Sequence, residues 1–176
     1  MKFTTPLPEG IYVKETFYPL NTDFKVWLKI NEIMNSDFLS DSEKALSIIP
    51  LGYKNALPPC MEDALSGIID FYSMFAKKTG HSKKEIFSFS EDAPFIYSAF
   101  YKEYKIDLFE ANMHWWKFKA LFDSLGEDNM FGRVIKYRTI NLSDIKDKNL
   151  KAFYRKMKSL YKLKTSDNIA DAFLRI

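Results

Sequence analysis

The sequence predicts a mainly α-helical chain: a compact bundle of about seven or eight helices, preceded by a short β-hairpin or extended segment. Three observations carry this. Apolar residues recur at three- and four-residue spacing in run after run. Good N-cap residues stand directly ahead of several of those runs, among them the capping-box pattern Ser40-Asp41-Ser42-Glu43. The first twenty residues do not read as helix: Pro6, Pro8, Gly10 and Pro19 interrupt them around the β-prone triplets Ile11-Tyr12-Val13 and Thr16-Phe17-Tyr18.

Taken in order, the two triplets around Lys14-Glu15 form a hairpin, although Lys-Glu is a poor turn pair. Asn21-Thr22-Asp23 caps a first helix over residues 23–35. The capping box opens a second, carrying Ala45, Leu46, Ile48 and Ile49, which Pro50 and Gly52 stop. Met61, Ala64, Leu65, Ile68, Ile69, Tyr72 and Phe75 mark the clearest helix. Further helices are expected over 91–104, 107–125, 128–138 and 147–163. Ile169, Ala170, Phe173 and Leu174 suggest a last short one. Residues 1–22 thus read as an N-terminal extended or hairpin segment and 23–176 as a helical domain. A loop or linker at 76–91, around Lys77-Lys78-Thr79-Gly80, separates its N- and C-terminal parts.

The 176 residues suffice for one domain with a real core. Aromatic side chains make up 16% of them, enough to fill that core and leave apolar surface for a partner. The single cysteine, Cys60, forms no internal disulfide, and with His81 and His114 it supplies no Cys/His metal set. The N-terminus has no signal-peptide run, and no stretch approaches the roughly twenty apolar residues of a membrane helix. The cytoplasm of the cell that makes it is the expected location. Net charge is only +3, but it is unevenly divided. From Phe131 to Lys164 eleven Lys/Arg face only Asp144 and Asp147, about +9, which leaves about −6 elsewhere. An anionic partner fits that asymmetry.

Catalysis finds little support. The sequence has no glycine-rich phosphate loop, no Gly-x-Ser-x-Gly elbow and no His-Glu-x-x-His. His114, one turn from Glu110 and two from Asp107 on the expected helix, is the best general-base candidate. The plainer reading is a histidine satisfied structurally within an aromatic helix. No enzyme activity and no cofactor are therefore expected. Trp115 and Trp116 lie in the densest aromatic run. Adjacent helical residues project about 100° apart, so burial of both needs a wide apolar stripe, and one at an interface is the alternative. Arg155, Lys158 and Lys162 form a basic stripe opposite Leu150, Phe153, Met157 and Leu160. Nucleic-acid contact is one reading of it. A solvated face that favours its own helix terminus is the stronger one, since no recognition motif accompanies the charge.

From Phe95-Ile96-Tyr97-Ser98-Ala99-Phe100-Tyr101-Lys102-Glu103-Tyr104-Lys105-Ile106-Asp107-Leu108, through Met113-His114-Trp115-Trp116-Lys117-Phe118, Ile135-Lys136-Tyr137-Arg138 and Asn141-Leu142-Ser143-Asp144-Ile145, the chain resembles the bacteriophage gene-product-fifteen family of long-tailed phages infecting Gram-positive hosts. Tyr18-Pro19-Leu20-Asn21-Thr22-Asp23-Phe24 resembles that family's start. One departure is Lys105, where a Tyr-Gly-Ile-Asp turn would carry glycine. A left-handed residue required there would be strained as lysine.

The resemblance implies a phage or prophage tail-assembly factor, a chaperone that coats the tape-measure protein during tail morphogenesis. The major tail protein and further copies of the chain are the other implied partners, with nucleic acid and membrane disfavoured. A structural virion component, such as a tail-tube or head–tail connector protein, is the alternative, and a nucleic-acid-binding accessory protein the third reading. A chaperone of this kind needs grooves for amphipathic helices. Trp115, Trp116, Tyr101 and Tyr104 are the candidate contact residues, and the basic stripe suits acidic stretches of a client.

Overall fold

A computed structural model describes residues 3–74 and 86–164. The fold is mainly α: a two-stranded antiparallel hairpin and then seven α-helices among the described residues. The chain divides into two compact units. Residues 1–81 and 111–123 form the first, and residues 82–110 and 124–176 the second. The expected linker at 76–91 falls largely outside the described residues, and the expected last helix at 169–174 does so entirely.

The first unit begins with β1 (Gly10–Val13) and β2 (Thr16–Pro19), paired from Gly10↔Pro19 to Val13↔Thr16. The two-residue turn places Lys14 at φ 54°, a region that an L side chain enters at a cost. Buried Ile11 and Tyr18 hold the hairpin to the helices, while Tyr12 and Phe17 face outward. The helices of this unit are α1 (Phe24–Met34), α2 (Asp41–Gly52), α3 (Met61–Tyr72) and α5 (Trp115–Asp123). Asp23 caps α1 by accepting from the Lys25 amide. Ser40 and Glu43 cap α2 reciprocally, as the capping-box pattern predicts.

Two expectations change here. Pro50 does not stop α2 but sits inside its last turn. The amide it lacks would have bonded to Leu46, which is exposed, so water can serve that carbonyl instead. On α3, Ala64, Gly67, Ile68 and Phe71 are buried, whereas Met61 is exposed. Gly67 sits where β1 crosses α3. A Cβ there would stand 2.7 Å from the Tyr53 hydroxyl, which donates to the Ala64 carbonyl. The core is a stack of rings: Trp27 lies on Phe71 at 4.8 Å and near Trp115 at 6.3 Å, and Phe24 on Phe118 at 4.7 Å.

The second unit holds α4 (Ala93–Tyr104), α6 (Met130–Thr139), a 3-10 turn (Leu142–Asp144) and α7 (Lys148–Leu160). Asn129 and Asp147 cap α6 and α7 by accepting from Gly132 and Leu150 amides. Lys105 ends α4 at φ 57°, ψ 30°, and its amide donates to the Tyr101 carbonyl. This is the left-handed conformation that glycine adopts without penalty.

Residues 86–92 pack within this unit. Arg138 on α6 reaches Asp92 with two guanidinium bonds, of 2.6 and 2.8 Å, and also donates to the carbonyls of Ile86 and Tyr161. Asp92 is 1% exposed and also accepts from the Ser88 amide, which is why its carboxylate does not cap α4. One guanidinium thus ties the approach to α4, helix α6 and the end of α7.

Candidate protein-contact surface

The helix expected over 107–125 is shorter than its sequence suggests. Residues 105–114 are not helical, and α5 starts at Trp115. The cause is tertiary. Phe24 donates its amide to the Met113 carbonyl, and Trp115 donates to the Thr22 carbonyl, so this stretch bridges to the start of α1. Asp107 holds a local turn by accepting from the Phe109 amide.

His114 therefore precedes α5 and caps it. Its Nδ1 accepts from the Trp116 amide at 3.0 Å, so the neutral ring carries its proton on Nε2, which lies 3.0 Å from the Pro8 carbonyl and donates to it. Both ring nitrogens are engaged in holding the fold.

Trp115 and Trp116 are 0% and 7% exposed, so neither presents the contact surface expected of it. Each indole N–H donates to a carbonyl at the end of α3, Trp115 to Tyr72 and Trp116 to Phe71, both at 3.0 Å. Adjacent indoles can both be buried because α5 is enclosed broadly. Trp115 stacks on Tyr72 and Phe118, and Trp116 lies against Phe71 and His114.

Tyr101 does lie at the surface, 53% exposed. It stacks on Tyr97 at 6.2 Å, and Tyr97 in turn meets the exposed Phe109 at 5.2 Å. Burial, and then the nearby Asp107 carboxylate, push the Tyr97 phenol above its ordinary pKa. Tyr104 is half-buried and turned edge-on to Phe100.

The basic stripe is split. Arg155 and Lys162 are exposed, but Lys158 bends inward and donates to the Ile140 carbonyl at 2.8 Å, capping the end of α6. The apolar side of α7 is visible in the spacing, but its exposure is not. No residue of this strongly amphipathic helix is buried. Phe153, Tyr154 and Tyr161 all lie against Tyr137 of α6, yet Phe153 and Leu150 remain 47% exposed and Leu160 65%. These three residues form an apolar edge along one exposed side of the helix.

A cleft of about 660 Å³ also opens in the first unit, between the hairpin and α3. Asp63, Asp70 and Lys14 contribute to its wall, and no His or Cys does. Among the described residues no group of His, Cys, Asp or Glu is arranged to hold a metal, and no helix is long and apolar enough to cross a membrane.

The arrangement is that of a helical protein with an open amphipathic helix. The family described as bacteriophage Gp15 protein matches residues 3–163, and the chain belongs to that family. No curated protein and no solved structure matches it.

Proposed function

We propose that this bacteriophage protein is a tail-assembly factor, a chaperone that binds the tape-measure protein during tail morphogenesis in the cytoplasm of the bacterial host. It works by contact and not by catalysis. The observation that carries this reading is α7, an amphipathic helix on which Leu150, Phe153 and Leu160 stay largely open to solvent and no residue is buried. Helix-in-groove and helix-on-helix recognition use aliphatic and aromatic anchors at this spacing. Membership of a bacteriophage family supplies the setting. The engagement of both His114 ring nitrogens supports the non-catalytic part, because the strongest general-base candidate already has a structural task.

The test is co-expression with the tape-measure protein of the same phage, with a tag on this chain. Under the proposal the tape-measure protein becomes soluble and co-purifies, and this chain is absent from purified particles. An insoluble, unbound tape-measure protein, together with this chain in mature tails, would move the assignment to a structural virion component.

A further inference from the structure

We infer that the exposed edge of α7 is a docking site for an acidic amphipathic helix of a partner protein. This rests on the client-binding reading above and names the chemistry of the client at that site.

Charge narrows the occupant. From Lys148 to Lys164 the chain carries seven Lys/Arg and no Asp or Glu. Some of that charge is committed: Lys158 donates to the Ile140 carbonyl, within the fold. Arg155 and Lys156 are exposed and line one shallow groove with Leu160, beside the apolar edge. An occupant must therefore bring apolar side chains for the edge and carboxylates for its flank. A helix with apolar residues three and four apart and Asp or Glu beside them supplies both.

Other anionic partners fit less well. Nucleic acid would satisfy the lysines but would leave Leu150 and Leu160 against phosphate and sugar, with no gain from burying them. A membrane surface would take the whole apolar side of the helix. Here part of that side is already taken, since Tyr154, Tyr161 and one edge of Phe153 lie against Tyr137. The row that remains, Leu150, the open part of Phe153 and Leu160, follows the three-four spacing that another helix can match.

The probe is a synthetic peptide of about eighteen residues with Leu at helical three-four spacing and Glu on the remaining face, enough for five turns. Its counterparts carry Lys in place of Glu, or the same residues scrambled. Binding to the full chain is read by fluorescence anisotropy at low and high salt. The acidic peptide should bind, and roughly tenfold more weakly as salt rises from 50 to 300 mM. The Lys and scrambled peptides should not bind measurably. Leu160→Ser and Lys156→Glu alter exposed positions, so the fold is kept, and each should weaken acidic-peptide binding by about tenfold.

Equal binding of all three peptides, or unchanged binding by both variants, overturns the inference. So does tighter binding to anionic vesicles or to duplex DNA that the same two variants abolish. A fourth result also overturns it: a chain ended at Lys164 that binds the acidic peptide while the full chain does not, which would assign the edge to residues 165–176. Because no tape-measure protein is used, failure here is distinguishable from failure of the co-purification test.

Discussion

Trp115 and Trp116, adjacent in the chain, close the same helix end: their indole N–H groups donate to Tyr72 and Phe71, the last two carbonyls of α3. Carbonyls in a last helical turn lack the amide partner of the helix interior; the Phe71 carbonyl also accepts from the Met74 amide, and loss of an indole donor to either carbonyl costs stability. The pair therefore fixes α5 against α3 through both packing and hydrogen bonds. Trp115→Phe keeps a ring in the stack but loses the donor, and should cost about 1–3 kcal/mol. Trp115→Ala should cost about 3–5 kcal/mol. Denaturant unfolding followed by far-UV circular dichroism measures both. An alanine variant as stable as the parent would contradict the core assignment.

Arg138 and Asp92 should behave as a unit. Removing either partner strands a buried charge, so Arg138→Met and Asp92→Ala should each cost about 3–5 kcal/mol. The double variant should cost clearly less than the two single changes together, because no buried charge is then left without its counter-ion. Strict additivity in the double-mutant cycle would show that the ion pair is not the organising contact of the second unit.

Lys105→Gly should stabilise the protein. The lysine ends α4 in the left-handed region, at a cost of about 1 kcal/mol that glycine does not incur. Its side chain reaches only the Lys102 carbonyl, at an exposed position. A rise in the unfolding midpoint is expected, and a fall would mean that this contact outweighs the backbone strain.

The Tyr53 phenol gives the protein an alkaline limit. Burial, with smaller contributions from Tyr18 and Asp63, pushes its pKa from 10.0 up to about 12. The neutral phenol is therefore favoured by folding. Its contribution is fully present below pH 10 and is lost as pH rises toward 12, to the extent of about 2 kcal/mol. Unfolding curves between pH 9 and 12 should show this loss, with a shallower slope for Tyr53→Phe. Parallel slopes for the two proteins would assign the loss to other groups.

His114 should tolerate asparagine better than alanine. Its Nδ1 caps α5 by accepting from the Trp116 amide, a task that an asparagine oxygen can also perform. His114→Ala should lose about 1–2 kcal/mol from the missing cap and the missing contact to Pro8. His114→Asn should recover about half of that. Equal losses would show that the ring's packing, not the cap, is what matters.

What the sequence made legible was local. The Lys14-Glu15 hairpin, the Asp23 cap and the Ser40/Glu43 box each depend on neighbours in the chain, and the structure contains all three. The awkward Lys105 was visible as well, because a turn that wants glycine can be read from its flanking residues. Long-range pairings were not legible. The stretch before Trp115 carries a helical rhythm, yet backbone hydrogen bonds between residues 113–115 and 22–24 hold its end out of the helix. Nothing in the run Glu91-Asp92 announces that Arg138, forty-six residues on, will claim the carboxylate.

The candidate surface divides the same way. Spacing gave the basic stripe and its opposite apolar face. Only the packing of α6 decides that Lys158 turns inward while Phe153 and Leu160 stay open. The aromatic density around Trp115 and Trp116 fitted a core, with an interface as the alternative; both indoles are buried, so the core reading holds and their place among the contact candidates does not.

If the proposed client is held on α7, hydrogen exchange of the full chain, alone and with co-expressed tape-measure protein, will show it. Slowed exchange should concentrate in Lys148–Leu160, where no residue is buried in the free protein. Unchanged exchange along α7, with protection elsewhere or nowhere, would contradict it.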